Sequence, residues 1–149
     1  MKKASILIVD DNEGILETLS AILEEKGYRT DIAKNGREAI EKSKTNFYNV
    51  ALLDIRLPDI EGTELLTKIE ETSPRMIKIM ITGYASLENA VKALNLGADA
   101  YIMKPVDPEN LLKVINEKLK EQREAEKMSQ EKVAKWIETR ARQLTKGQP

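Results

Sequence analysis

Apolar runs and helical patterns alternate along the chain from its first residues onward. Short continuous apolar runs predict buried strands, and apolar residues that recur every three or four positions predict amphipathic helices. In chain order the predicted elements are strand Ser5–Val9, helix Glu13–Lys26, strand Tyr28–Ala33, helix Asn35–Lys44, strand Val50–Leu53, helix Gly62–Thr72, strand Met76–Ile81, helix Ser86–Leu96, strand Ala100–Met103 and a last helix from Pro108 to about Leu144.

This strict alternation predicts an α/β fold, a doubly wound parallel sheet with helices on both faces. The first, third and fourth strands are apolar throughout, so we expect them at the centre of the sheet. The second and fifth strands are weaker and are expected at its edges. The strand order 2-1-3-4-5 satisfies both conditions, whereas the order 3-2-1-4-5-6 needs a sixth strand that the pattern lacks.

No glycine or proline interrupts the last helix after its first residue, so we predict one continuous helix. A helix of this length extends beyond the sheet. Its first part has an apolar face, with Leu111 and Ile115, that can pack on the sheet. Apolar residues then become sparse, and residues 117–146 carry nine basic and six acidic side chains, whereas the rest of the chain has a net charge of −4. We therefore predict a domain over residues 1–120 and a helical C-terminal extension or linker over residues 121–149.

The composition excludes large classes of chemistry. The chain has no cysteine and no histidine, which rules out disulfides, Cys/His zinc sites, thiol nucleophiles and histidine bases. The net charge of −1 gives no electrostatic argument for direct binding of nucleic acid or of a membrane surface. The first apolar run is too short for a signal peptide or a membrane span, so we expect a soluble cytoplasmic protein.

Polar side chains end four of the five predicted strands. They are Asp10 and Asp11 after the first strand, Asp54 after the third, Thr82 after the fourth and Lys104 after the fifth. In an open parallel sheet such strand ends meet at one edge, where ligands bind. Three clustered carboxylates repel one another unless a cation neutralises them, and an all-oxygen ligand set favours Mg²⁺ or Mn²⁺. A carboxylate nucleophile, a hard metal, a lysine and a hydroxyl are the components of phosphoryl transfer to aspartate.

Simpler explanations exist for each of these residues taken alone. Asp10 or Asp11 could merely cap the first helix, and Lys104 could pair with any nearby acid. The coincidence of matching polar groups at four strand ends favours a common site.

Four segments that contain these residues, ILIVDDNEG, LLDIRLPDIEG, IMITGYAS and AYIMKP, closely resemble the signature segments of two-component response regulator receiver domains. The resemblance covers about residues 4–120, and the segments occur in the family's order and spacing. It implies a flavodoxin-like fold with five strands. It also implies that Asp54 accepts a phosphoryl group from a sensor histidine kinase or a phosphotransfer protein.

The resemblance assigns roles to the remaining site residues. Asp10, Asp11 and Asp54 would bind Mg²⁺ together with the backbone carbonyl of Arg56, and Lys104 would contact the phosphoryl oxygens.

Two further features follow from the same resemblance. Thr82 and Tyr101 match the family's switch pair, in which the hydroxyl moves to the phosphoryl group and the ring turns inward. The peptide bond between Lys104 and Pro105 would be cis.

The sequence leaves two other functions open. A flavodoxin-like domain can bind FMN at the same edge, but it cradles the phosphate in a Ser/Thr/Gly-rich loop, and here that loop is acidic, Asp10 to Glu13. A scaffold that is never phosphorylated is the other alternative. The helical extension has two candidate uses, pairing with a second copy of the chain or linking to an output domain.

Overall fold

The computed structural model describes residues 4–69, 72, 75–83 and 86–146. The strands are β1 (Ser5–Val9), β2 (Arg29–Ala33), β3 (Val50–Asp54), β4 (Ile77–Thr82) and β5 (Ala100–Met103). The helices are α1 (Glu13–Glu25), α2 (Gly36–Thr45), α3 (Gly62–Lys68), α4 (Leu87–Asn95) and α5 (Pro108–Lys146).

The five strands form one parallel sheet in the order β2-β1-β3-β4-β5, which confirms the predicted order and fold class. The residues of β3 and β4 are buried on both faces, and β2 and β5, at the edges, are partly exposed. Burial of both faces is the reason that the central strands are runs of apolar residues and not alternating sequences.

Alternate residues along each strand supply two separate hydrophobic cores. One core packs under α1 and α5, and the other packs under α2, α3 and α4. Leu111, Ile115 and Leu119 anchor α5 to the first of these cores. The sheet is thus covered on both sides, and its carboxyl edge, where the loops to the helices begin, is the place left for a site.

Two details of the predicted elements are wrong. Helix α3 ends at Lys68 and not at Thr72, because Ile69 has an extended ψ of 135°; Glu70 and Glu71, which the prediction placed in the helix, lie outside the described residues. Strand β4 is not apolar throughout, since it contains Lys78, and this lysine is buried with the rest of the strand. Its backbone is tied to the loop before β5, where the carboxylate of Asp99 accepts a hydrogen bond from the Lys78 N–H at 2.8 Å.

The N-terminus of α2 is fastened by two side chains. The carbonyl oxygen of the Asn35 side chain accepts the N–H of Glu38 at 2.8 Å, so Asn35 caps the helix. The carboxylate of Asp59, from the loop after β3, accepts the N–H groups of Gly36 and Arg37, both at 2.9 Å. These backbone amides hold the pKa of Asp59 below its usual value. The loop after β3 is therefore tied to the start of α2.

The same loop passes so close to β3 that Gly62 has no room for a side chain. Its N–H donates to the carbonyl of Ile55 at 2.6 Å. A Cβ at this position would lie 2.1 Å from the backbone oxygen of Asp54 and 2.8 Å from the Cα of Ile55. Gly62 thereby allows the backbone of α3 to lie directly against the end of β3.

Helix α5 is continuous over 39 residues, as predicted. Gln122 bonds α5 to the body of the domain, donating to the backbone carbonyls of Arg75 at 2.8 Å and Asn49 at 3.1 Å. From Lys127 to Thr145 every residue is exposed. We call residues 124–146 the tail helix. Within the described chain no helix combines the length and the apolar composition that crossing a bilayer requires.

Replacement of Gly62 by alanine tests the close approach of α3 to β3. We expect Gly62→Ala to lower the free energy of unfolding by about 1–3 kcal/mol, because the added methyl meets backbone atoms that cannot rotate away. Urea denaturation measures this change. Gly83→Ala is the matched control, since a Cβ there meets nothing within 4 Å; equal losses in the two variants would contradict the assignment.

Candidate functional site

Three carboxylates meet at the carboxyl edge of the sheet. Asp10 directly follows β1, Asp11 is the next residue, and Asp54 ends β3, the strand beside β1. Carboxylate oxygens from all three lie within 4.8 Å of one another. Asp10 and Asp54 are only 3% and 8% exposed, whereas Asp11 is exposed. The structure therefore brings together the acidic residues that the strand-end pattern predicted to cluster.

The Lys104 ammonium lies between two of these carboxylates. Its Nζ is 2.8 Å from Oδ2 of Asp10 and 3.6 Å from Oδ2 of Asp54. Lys104 follows β5, at the far edge of the sheet, and its backbone N–H donates to the carbonyl of Thr82 at 2.8 Å. The lysine thus links the ends of β4 and β5 to the acidic cluster.

The local electrostatics disfavour a charged Asp54. Burial raises the pKa of Asp54, and the neighbouring Asp10 carboxylate raises it further. Lys104 and a hydrogen bond from the backbone N–H of Arg56 oppose this effect without overcoming it. One ammonium therefore does not balance three carboxylates.

Asn12, which the sequence prediction did not single out, completes the acidic loop. Its backbone N–H donates to Oδ1 of Asp10 at 2.9 Å, and its side chain accepts the N–H of Ile15 at 3.1 Å. Asn12 is therefore the cap of α1, and neither Asp10 nor Asp11 has that role. A rule that favours asparagine before an amphipathic helix could have identified it.

The donor set of this cluster fits a hard divalent cation. All of its ligand atoms are carboxylate oxygens, which Mg²⁺ prefers, and no described residue contributes a nitrogen or sulfur ligand. Arg56, the fourth predicted ligand, follows Asp54 by two residues, and its backbone forms an isolated antiparallel β-bridge with that of Glu61. The unbalanced negative charge gives the cluster a physical reason to bind such an ion.

The predicted switch residues lie on the two strands nearest to Lys104. Thr82 ends β4 and is fully buried. Tyr101, on β5 beside Met80, is half-buried against the core under α2, α3 and α4, and burial raises its pKa. The two side chains lie on the same face of the sheet, because Thr82 and Met80 are two residues apart on one strand.

The structure describes the bond after Lys104 but not all residues of the third segment. The bond between Lys104 and Pro105 is cis, as the resemblance implied. Tyr84 and Ala85 of the third segment lie outside the described residues.

Comparisons with known proteins agree with this geometry. Residues 6–116 match the family of response regulator receiver domains. The chain is 55% identical to a response regulator receiver domain protein (CheY-like) from Methanospirillum hungatei JF-1, with a TM-score of 0.80, 83% of this chain and 99% of that chain being covered.

Two curated relatives are transcriptional regulatory proteins. ZraR of Klebsiella oxytoca is 36% identical over 118 residues, which is 79% of this chain and 27% of the relative. The uncharacterized regulator YkoG of Bacillus subtilis (strain 168) is 36% identical over 121 residues, which is 81% of this chain and 53% of the relative. The chain thus spans about a quarter to a half of the length of these relatives.

The acidic loop after β1 does not favour FMN, because Asp10 and Asp11 would repel its phosphate. The sheet order, the carboxylate cluster and the family match point to one interpretation. The chain belongs to the response regulator receiver domain family and is a receiver domain of two-component response regulators.

Proposed function

We propose that Asp54 accepts a phosphoryl group and that this reaction requires Mg²⁺. The observation that carries the proposal is the position of Asp54, which ends a central strand beside Asp10 and 3.6 Å from the Lys104 ammonium. A carboxylate oxygen of Asp54 attacks phosphorus while the bond from phosphorus to the donor nitrogen or oxygen breaks. The product is an aspartyl phosphate.

The charged neighbours of Asp54 define how the reaction is assisted. Asp10, Asp11 and Asp54, with the backbone carbonyl of Arg56, would hold Mg²⁺. A bound Mg²⁺ supplies positive charge to the oxygens of the transferring group. Lys104 adds a second positive charge on the other side of the cluster, where it already contacts Asp10. Both charges also relieve the repulsion among the carboxylates.

The phosphoryl donor belongs to another protein. The chain has no histidine, so the phosphohistidine of a sensor histidine kinase or of a phosphotransfer protein is the proposed source. Small phosphodonors such as acetyl phosphate react by the same displacement and permit tests without the kinase.

The response to phosphorylation is proposed to pass through Thr82 and Tyr101. A new phosphoryl group at Asp54 offers an acceptor to the Thr82 hydroxyl, which lies at the end of the adjacent strand. A ligand shifts a conformational equilibrium only through contacts that differ between the two states, and this hydrogen bond is such a contact. Tyr101 is half-buried and can follow by turning further into the core.

The division of the chain is also a proposal. Residues 1–120 would form the receiver domain and residues 121–149 a helical extension, since α5 leaves the body near Gln122. The relatives are transcriptional regulatory proteins of greater length, so the output of this receiver would depend on segments or partners beyond residues 1–120.

Phosphorylation of Asp54 is tested with acetyl phosphate and Mg²⁺. We expect intact-mass spectrometry to show one added phosphoryl group on the wild-type chain and none on Asp54→Asn. EDTA should abolish the adduct, because the carboxylate cluster then lacks its cation.

Asp59→Asn is the matched control for this experiment. Asp59 is an exposed aspartate in the loop after β3, and its variant should accept the phosphoryl group as the wild type does. An adduct of equal yield on Asp54→Asn, or in EDTA, would show that the acceptor or the metal requirement is wrong.

The raised pKa of Asp54 predicts a stability change in the metal-free protein. Asp54→Asn should raise the free energy of unfolding at pH 7 in EDTA, because it removes a carboxylate that burial and Asp10 disfavour in the folded state. This penalty is absent below the ordinary aspartate pKa of 3.8, grows as the pH rises from there to the raised pKa of the folded state, and is constant above it.

Asp59→Asn should have the opposite sign under the same conditions. The backbone amides of Gly36 and Arg37 lower the pKa of Asp59, so its charge stabilises the fold at neutral pH. That contribution is lost as the pH falls through the lowered pKa. Urea unfolding between pH 3 and pH 8 measures both variants, and a loss of stability in Asp54→Asn at pH 7 would contradict the assignment.

Loss of the Thr82 hydroxyl should separate phosphorylation from switching. With beryllofluoride in place of the phosphoryl group, NMR should show large shifts around Tyr101 in the wild type and only small shifts in Thr82→Ala. Thr63→Ala, which changes another buried threonine, is the control and should switch normally. Shifts of wild-type size in Thr82→Ala would refute the proposed route.

A further inference from the structure

The tail helix carries apolar side chains that its own domain does not cover. Val133, Trp136, Ile137 and Leu144 are between 54% and 66% exposed. Most of the stability of a helix in a protein comes from packing of its apolar face. The tail helix therefore lacks the contact that would explain its apolar residues.

These residues lie on the side of α5 that faces the sheet. Val133 follows Ile115, and Ile137 follows Leu119, by eighteen residues, which is five turns at 3.6 residues per turn. Ile115 and Leu119 are buried in the core under α1 and α5. The apolar face of the tail helix is thus a continuation of the face that packs on the domain, displaced along the axis by about 27 Å.

This geometry decides how two such helices can pair. If two tail helices packed in parallel through this face, residues 108–122 of each α5 would occupy the space that the other chain's sheet fills. In an antiparallel pair the two domains lie at opposite ends, and each tail helix ends where the other domain begins. The buried positions of Ile115 and Leu119 therefore exclude parallel pairing through this face.

The distribution of charge favours the same orientation. Residues 124–131 carry three acidic and one basic side chain, whereas residues 139–146 carry three basic and no acidic ones. Antiparallel pairing places these oppositely charged segments beside each other. Parallel pairing would place like charges together along both segments, which is unfavourable.

We propose that the tail helix pairs in antiparallel orientation with the tail helix of a second copy of this chain. The two-fold axis lies near Lys135, so that Val133 faces Ile137 of the second copy. In this register Arg140 faces Gln130, whose amide oxygen accepts hydrogen bonds from a guanidinium. An arginine within an apolar stripe thereby gains a partner.

The register also fits the extent of the domain. Position 146 of one chain faces position 124 of the other, two residues beyond Gln122, which bonds to the backbone of Asn49 and Arg75. The helix end meets an open groove there, lined in part by Asp99, Glu121 and Glu126 together with Arg75 and Lys118. Arg75 pairs with Asp99 and Lys118 pairs with Glu121, so the groove has one more acid than base facing the basic end of the second copy. The interface does not depend on phosphoryl transfer to Asp54.

Disulfide formation between engineered cysteines tests the orientation, because the chain has no native cysteine. In the proposed register Glu126 faces Leu144 of the second copy, whereas the two copies of Glu126 lie about 27 Å apart. Oxidation of a mixture of Glu126→Cys and Leu144→Cys chains should give a linked dimer with one chain of each kind. Each variant alone should give none.

The matched control pair is Glu124→Cys with Arg142→Cys. Each of these positions lies two residues from a member of the test pair. Each is also nine residues from Val133, which is two and a half turns and places it on the opposite face of the helix. They should not link. Linkage of Glu126→Cys to itself would show parallel pairing, and equal linkage in the control mixture would show random collision; either result overturns the proposal.

The unmodified chain provides an independent measurement. Trp136 is the single tryptophan and lies beside the proposed two-fold axis. Its emission should shift to shorter wavelength as the concentration rises, in step with dimer formation in sedimentation equilibrium. A chain that sediments as a monomer at submillimolar concentration with unshifted emission also overturns the proposal.

Discussion

The repulsion among three carboxylates, relieved in part by one ammonium, is the interaction on which the rest of the site depends. Asp10 and Asp54 are buried at the ends of adjacent strands, where their charges are poorly solvated. Lys104 approaches both from the far side of the sheet. The fold brings these groups together because parallel strands all end at the same edge, and its two cores hold those strands in place.

The arrangement couples distant parts of the chain through backbone contacts as well as charge. The backbone N–H of Lys104 donates to the carbonyl of Thr82, so the position of the lysine is fixed relative to the end of β4. Gly62 brings the start of α3 against the backbone of Asp54. A change in charge at Asp54 therefore acts on elements that already touch its strand.

The strand order and the acidic cluster could be predicted from the sequence, because both follow from local patterns combined with a general rule of parallel sheets. The tether from Asp59 to α2 could not, since it joins residues more than twenty positions apart and nothing in the loop sequence names its partner. The end of α3 at Lys68 is similar, because the apolar spacing continues to Ile69 while the backbone turns extended. Lys78 shows that burial of a strand can override the polarity of one of its residues.

The side chain of Gln122 fixes the point at which α5 leaves the body, so a tilt of α5 about this point moves the far end of the helix most. Twenty-four residues follow it within α5, a length of about 36 Å at 1.5 Å per residue. Each degree of tilt about Gln122 displaces the far end by about 0.6 Å, so a rotation of a few degrees moves the end of the helix by an atomic diameter or more. Motions too small to alter the packing of the sheet are thereby converted into displacements that a neighbouring molecule can detect.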